Sequence, residues 1–196
     1  MVAVEIDPLL VQYLRTKFRG EEHLELVEAD ILKVDVARWG PAVVAGNLPY
    51  YITSPIVEKV LALGPALLRA VFLVQKEVAE RLTATPGSRD YGYLTVATQF
   101  FAEVEYLFTV PPAAFHPAPK VHSAVVRLTP RRRLPSTDAA AFLRFVSLAF
   151  RHKRKTLRNN LIEAYSREAL AALPESVLRA EQMSLEALLE LHSRLQ

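Results

Sequence analysis

Three polar side chains follow three apolar runs near the start of the chain. Glu5 closes VAVE, Asp30 closes LELVEAD and Asn47 closes AVVAGN. If each run is a buried strand of one open parallel sheet, all three lie at carboxyl ends, where such sheets bind ligands. A carboxylate there can accept both hydroxyls of a ribose. A second, one strand over, can accept a hydrogen bond from an adenine amine. Glu5 and Asp30 together suit an adenosine-containing cofactor. A single strand-end acid is weak grounds, because acids also cap helices and fill turns, and Asp7 is placed to cap the next helix. Three such positions in consecutive units weigh more.

The third opens the stretch GNLPYYITSPI, residues 46–56. Its composition suits a reaction on the exocyclic amine of adenine. That nitrogen is a poor nucleophile, because its lone pair is delocalised into the ring. A site that accepts hydrogen bonds from both N–H groups localises the lone pair, provided the acceptors are aimed beforehand. The Asn47 carbonyl is one acceptor. The Leu48 backbone carbonyl, held before Pro49, is the second. Tyr50 offers a ring for stacking, a contact of roughly 1–3 kcal/mol per base. A base within folded nucleic acid must leave its stack to arrive there. An ordinary strand–loop–helix junction also uses Asn and Pro; the position after two strand-end acids favours the chemical reading.

These residues need a scaffold. Short apolar runs at 2–6, 24–29, 42–46 and 70–75 alternate with helical patterns at 8–18, 55–63 and 77–82. A helical segment at 92–102 precedes two closing strands, 103–110 and 123–130. The alternation predicts an α/β fold with a mostly parallel sheet, its apolar strands buried on both sides. After RRRLPSTD, residues 131–138, the chain reads as helical to its end, with Asp138 as a cap. The expected division is 1–134 for the α/β domain and 135–196 for a small helical domain.

Bulk properties narrow the class. No apolar run approaches the roughly 18 residues of a membrane span, and MVAVEIDPLL lacks the basic start of a secretory signal. There is no cysteine, which excludes disulfides and thiolate metal sites and is compatible with the cytoplasm. The five histidines are scattered, so no metal site is expected. His116 and His122 read as structural or surface groups. Between Tyr106 and Ile162 lie eleven Lys or Arg and one acid, Asp138, whereas the other residues carry thirteen bases and twenty acids. A basic block in an acidic chain points to a polyanion such as nucleic acid, although a solvated basic surface would carry the same charge. Within it, RHKRKTLRNN predicts a helix over 151–160 with Arg151, Arg154, Lys155 and Arg158 on one face, Lys153 nearby, and Phe150, Leu157 and Leu161 on another. Lys120 and Arg131 to Arg133 extend the basic surface.

GNLPYYITSPI resembles motif IV of the rRNA adenine N6-dimethyltransferases, and above all of the bacterial small-subunit (16S) rRNA enzymes. VAVEID is similar to the family's ribose-binding motif and EADIL to its adenine-binding motif. LVQKEVAERL, SRDYGYLTV, FHPAPKVHSAVVRL and AFRHKRKTLRNNL resemble later segments in the same order. The resemblance implies a Rossmann-like class I methyltransferase sheet with a helical C-terminal domain, and S-adenosylmethionine as cofactor. It places Glu5 on the cofactor ribose and Asp30 at its adenine amine. Asn47, Leu48, Pro49 and Tyr50 hold the target adenine, with Phe115 stacking on its other face. Methyl passes directly to N6, without metal or covalent enzyme intermediate, on two adjacent adenosines of a hairpin loop near the 3′ end of small-subunit rRNA. The partner implied is that rRNA within a 30S precursor, with Lys120, Arg151, Lys153, Arg154, Lys155 and Arg158 contacting it; a monomer is expected.

The sequence departs from the family at its front. No G-x-G turn appears among its six glycines, and a βα unit of about 30 residues is expected before Val2. A sheet lacking its first βα unit would expose strand edges, bind the cofactor weakly or not at all, and transfer methyl slowly, while RNA binding survives. Three other readings stay open: a large-subunit rRNA adenine dimethyltransferase, a non-catalytic ribosome-assembly or RNA-binding factor, and a nucleotide-dependent dehydrogenase with Glu5 on a ribose. The last leaves NLPY and the basic stretch without a role.

Overall fold

The computed structural model describes every residue except Arg133, Leu134 and Ser136. Strand β1 (Val2–Glu5) leads into helix α1 (Pro8–Lys17), and β2 (Glu25–Glu28) pairs with β1 in parallel. Asp7 caps α1: its Oδ1 accepts from the Leu9 and Leu10 amides at 2.8 and 3.4 Å. Pro8 takes the first helical position, where its missing N–H leaves no bond unmade. Strand β3 (Ala42–Asn47) follows, then α2 (Thr53–Leu61), β4 (Leu67–Gln75) and α3 (Lys76–Leu82). Helix α4 (Tyr93–Phe101) runs directly into β5 (Ala102–Val110), and β6 (Ser123–Pro130) closes the sheet.

The sheet is mixed and comes in two parts. Strands β1 and β2 form a pair, and the other four are ordered β3-β4-β6-β5. Strands β3 and β4 are parallel, whereas β6 runs antiparallel to both β4 and β5. Three strands of the larger sheet therefore share a direction and β6 opposes them. The cause is local: residues 111–122, between β5 and β6, hold a single 3-10 turn at Pro112–Ala114 and no helix to carry the chain across the sheet.

Burial on both sides, expected from the apolar strands, is not reached. In β4, Ala70, Phe72 and Val74 on one face are at most 1% exposed, whereas Val71 and Leu73 on the other are half-buried. Strand β3 is more open still: Val44 packs on the core while Val43, Ala45 and Asn47 are exposed. Leu9, Leu10, Tyr13 and Phe18, on and just after α1, are also exposed. Among the described residues nothing packs over these faces closely enough to bury them.

Helices α5 (Ala139–Ala149), α6 (Leu157–Leu161), α7 (Arg167–Ala171) and α8 (Leu185–Arg194) form the C-terminal part. Asp138 caps α5 by accepting from the Ala140 and Ala141 amides at 2.9 and 3.3 Å. Their apolar cluster, centred on Phe142, Phe145, Leu188 and Leu191, takes in Tyr91, Val96 and Phe100 from α4 and the loop before it. A second cluster fills the sheet, and Phe101 packs against both. The ring of Phe142 lies 5.1 Å from that of Phe100 and 5.6 Å from buried His192.

Two outcomes follow from this packing. Phe142→Ala empties a site with no exposed area and should lower unfolding free energy by about 3–5 kcal/mol in a urea titration. Burial pushes His192 below its ordinary pKa of 6.5, with the Asp138 charge opposing in part. The unfolded chain then takes up a proton that the fold resists. The contribution of His192 is full above about pH 6.5 and is lost as pH falls from there through the lower pKa of the folded state. His192→Gln should flatten the fall in urea midpoint between about pH 7.5 and pH 5.5.

Candidate functional site

The register of the larger sheet gathers the central residues. Asn47 pairs with Leu73 near the end of β4, Gln75 pairs with Ser123 at the head of β6, and Ser123 pairs with Val110 at the end of β5. The end of β3, the end of β4 and the loop at 111–122, which carries Phe115, thus share one edge. Asn47 and Pro49 are exposed, while Leu48 between them is buried. The Leu48 amide donates to the Leu73 carbonyl at 3.0 Å. A Cβ on Gly46 would sit 3.1 Å from the Leu48 side chain, so glycine lets that leucine fold back into the core. The leucine anchors the turn, and its neighbours stay at the surface.

Beyond Pro49 the chain makes a 3-10 turn, Tyr50–Ile52, before α2. Two bonds onto the Pro49 carbonyl brace it, from the Ile52 amide at 3.2 Å and the Thr53 hydroxyl at 3.1 Å. Tyr50 is half-buried, and its hydroxyl lies 2.9 Å from the hydroxyl of Ser123, itself fully buried. That contact spans 73 positions and has no signature in the sequence. Ser123 is thus a candidate site residue that sequence reasoning missed. Phe115 is half-buried in its loop, with its amide bonded to the Pro112 carbonyl at 3.1 Å.

Glu5 and Asp30 lie together at the end of the two-stranded sheet. The Ala29 amide donates to the Glu5 carbonyl at 2.9 Å, which sets the two strand ends side by side. Glu5 Oε1 accepts from the Ile6 and Asp7 amides at 2.7 and 2.9 Å, and Asp30 Oδ1 accepts from the Leu32 amide at 2.9 Å. These bonds orient both half-buried carboxylates and leave Oε2 and Oδ2 as acceptors for a ligand. The pair fits the hydroxyl and amine donors of an adenosine. Lys59 of α2 donates to the Leu32 carbonyl at 3.0 Å, and Ile31 and Leu32 pack against the cluster that holds Leu48. The Asp30 loop is thereby fastened to the helix that follows NLPY.

The cationic stretch differs from expectation. Residues 151–155 form turns and bends instead of the first half of a helix. Helix α5 ends at Ala149, and Thr156 starts α6 by accepting from the Asn159 amide at 3.4 Å. Buried Asn160 shapes the turn between them. Its amide nitrogen donates to the carbonyls of Ala149 at 2.7 Å and His152 at 3.2 Å, and its oxygen accepts from the His152 amide at 3.2 Å. Arg151, Lys153, Arg154 and Lys155 are exposed on this turn, and Arg158 is exposed on α6. Leu157 and Leu161 are buried beneath them. Arg151 pairs with Glu163 at 2.8 Å. Lys120 is exposed in the Phe115 loop, and exposed Arg132 and half-buried Arg131 lie after β6. Arg133 lies outside the described residues.

Two clefts flank α3, and neither is lined by Glu5, Asp30, Asn47, Tyr50 or Phe115. The edge bearing Asn47 is open to solvent. Among the described residues no cluster of His, Asp and Glu is arranged to hold a metal ion, and no helix is long and apolar enough to cross a membrane.

Polar groups at the strand ends of an α/β sheet are the arrangement of Rossmann-like methyltransferases, and the fold is of that class. The family model for ribosomal RNA adenine dimethylase matches residues 1–195. The chain is 42% identical to ribosomal RNA small subunit methyltransferase A of Koribacter versatilis, over all of its own length and 76% of that protein. It is 43% identical to the protein of the same name from Chlorobium chlorochromatii, over 98% of its length and 73% of the relative. Among solved structures, a dimethyladenosine transferase from Plasmodium falciparum superposes with a TM-score of 0.83 at 25% identity, covering 97% of this chain and 79% of that one. The 23S rRNA methyltransferase ErmE gives 0.72 at 32% identity, covering 99% and 81%. The chain belongs to the ribosomal RNA adenine dimethylase family, whose enzymes use S-adenosylmethionine.

Asn160 provides the check on the turn. Asn160→Ala removes three hydrogen bonds and leaves buried backbone groups unpaired, so unfolding free energy should fall by about 2–4 kcal/mol. Hydrogen exchange at the His152 amide should quicken at the same time, which separates a loosened turn from a general loss of stability.

Proposed function

We propose that the chain dimethylates N6 of two adjacent adenosines in the hairpin loop near the 3′ end of small-subunit rRNA, acting on a 30S precursor in the cytoplasm during ribosome biogenesis. The observation that carries this is the Asn47–Tyr50 turn, anchored by buried Leu48 and tied through Tyr50 to Ser123 at the edge where the Phe115 loop begins and ends. In this reading Asn47 Oδ1 and the Leu48 carbonyl accept the two N–H bonds of the amine. The nitrogen lone pair is thereby directed out of the ring plane. Tyr50 and Phe115 hold the base between their rings. Glu5 Oε2 accepts from the cofactor ribose and Asp30 Oδ2 from its adenine amine.

When bound, S-adenosylmethionine supplies a methyl on a positively charged sulfur. The methylated amine passes its proton to solvent, so His116 and His122 are not required as bases. Residues 1–134 carry this chemistry, and residues 135–196 hold the rRNA through Arg151, Lys153, Arg154, Lys155 and Arg158, with Lys120 added from the Phe115 loop. A surface of this kind makes affinity fall steeply with salt.

The likeness to ErmE supports a second reading, a large-subunit rRNA substrate. Identities of 42–43% to small-subunit enzymes favour the first. Methyl transfer from labelled cofactor to unmodified 30S and 50S subunits decides between them. The first reading expects label in 30S alone, two adjacent dimethyladenosines per subunit, and a loss of at least about 100-fold with Asn47→Ala at unchanged melting temperature. Label confined to 50S, or full activity in the Asn47 variant, would overturn it. Ser123→Ala should slow transfer by about tenfold or less, because the Tyr50 ring remains and only its tether is lost.

A further inference from the structure

Residues 1–41 carry Glu5 and Asp30, and the rest of the chain carries Asn47, Tyr50 and Phe115. Among the described residues no strand ladder joins the two parts, since β1 pairs with β2 and β3 pairs with β4. The backbone bonds of the loops and turns in residues 1–41 also stay within that part. Its ion pairs, Arg15 with Glu28 and Arg38 with Glu25, do the same. Among the described residues a single hydrogen bond crosses. Lys59 Nζ donates to the Leu32 carbonyl at 3.0 Å, over 27 positions. Ile31 and Leu32 add apolar packing. Such packing is non-directional, whereas a hydrogen bond constrains both distance and angle.

Both ends of α2 are engaged. At its start the Thr53 hydroxyl donates to the Pro49 carbonyl at 3.1 Å, which binds the helix to the turn bearing Asn47. Roughly 9 Å further along the axis, in the last turn, stands half-buried Lys59. Ile56, Val57 and Val60 are at most 3% exposed, so the helix is seated in the core as one stiff piece. On the far side of the crossing bond, the Leu32 amide donates to Asp30 Oδ1 at 2.9 Å. A line of contacts thus runs from the Asn47 turn through α2 and Leu32 to the carboxylate assigned to the cofactor adenine. A lysine in a last helical turn can serve merely to offset the helix dipole. Here the ammonium instead bonds a carbonyl of another segment, and a charged donor makes that bond one of the stronger kind.

We propose that Lys59 is a positioning residue for methyl transfer: it sets the spacing between the part that carries Glu5 and Asp30 and the turn that presents Asn47. This rests on the adenine-methylation reading given above and adds a residue which that reading does not use. Each part orients its own polar groups, Glu5 through the Ile6 and Asp7 amides and Asp30 through the Leu32 amide. Loss of the Lys59 ammonium therefore leaves each half of the site intact and disturbs the approach of one to the other. Transfer between two bound partners is sensitive to such a shift, since about 1 Å can cost on the order of 100-fold in rate.

The test compares Lys59→Met, which keeps an apolar stem and removes the donor, with Lys59→Arg, which restores a donor. The chain has no cysteine, so spin labels can be attached through Gln12→Cys on α1 and Arg167→Cys on α7, both exposed positions. With no ligand bound, Lys59→Met should widen the distribution of distances between the labels, and Lys59→Arg should narrow it again. In methyl transfer to unmodified 30S subunits, Lys59→Met should lower kcat about tenfold or more. The KM for S-adenosylmethionine and the calorimetric affinity for S-adenosylhomocysteine should stay within about twofold of the unaltered chain. Lys59→Arg should recover most of kcat. If either the distance distribution or kcat is unchanged in Lys59→Met, the proposal is overturned and the methylation reading stands. A loss of S-adenosylhomocysteine affinity at unchanged label spacing would make Lys59 a local support of the Asp30 loop and overturn it too. A melting temperature lowered by more than about five degrees in Lys59→Met, without rescue by Lys59→Arg, would mark a role in stability alone and overturn it likewise. If the unaltered chain methylates neither 30S nor 50S subunits, the reading and the proposal fall together.

Discussion

The ladder joining β3 to β4 and β4 to β6 sets the position of the central site residues. Through it Asn47 stands beside Leu73, and Gln75 beside Ser123. Side chains alternate along a strand, so a slip of one residue would turn Asn47 to the opposite face. The register is fixed by what lies under the sheet: Phe72, Val74, Val126 and Leu128 are at most 1% exposed, and a slip would drive them into solvent. The polar edge thus owes its placement to apolar residues that touch no ligand. Leu48 joins the two roles, since it is part of the core and also the residue whose carbonyl is proposed to face the amine.

The same economy links the sheet to the helices behind it. Helix α4 sends Phe100 into the C-terminal cluster, and Phe101 packs against both clusters, with the two rings edge to face at 4.9 Å. The loop before α4 adds Tyr91, whose ring lies 6.0 Å from Phe150 at the end of α5. Burial pushes the Tyr91 hydroxyl up to about 12, with the Glu186 charge adding to the effect, so it stays protonated and a donor. The C-terminal helices are therefore seated on the α/β part through a shared aromatic interior. The exposed cations of the turn at 151–155 are thereby held in fixed relation to the edge that presents Asn47.

Much of this was legible in the residues. Alternating apolar runs gave the strands, and local chemistry gave the caps, since Asp7 and Asp138 bond to amides only two and three residues away. The family was legible because NLPYYITSPI and the segments around it occur in a fixed order. What escaped reading depended on distant partners. The direction of β6 follows from a link without a crossover helix. The turn at 151–155 reads as helix because its cations recur at helical spacing, yet Asn160, buried by the core beneath it, offers the backbone another set of bonds. Tyr50 and Ser123 meet only after the whole sheet has formed. Burial on both sides failed most at β3, an edge strand whose outer face no described helix covers.

The way the cationic turn is built has a bearing on how such a surface changes over evolutionary time. Its path is dictated from below, by Asn160, Thr156 and the buried Leu157 and Leu161, and owes nothing to the helix propensity of the charged residues. Lysine and arginine can therefore be exchanged at 154 and 155 without unsettling the fold, whereas Arg151 pairs with Glu163 and Lys153 bonds the Arg89 carbonyl. Where the turn meets RNA, as proposed above, its grip can be retuned by swapping side chains on a frame that stays the same.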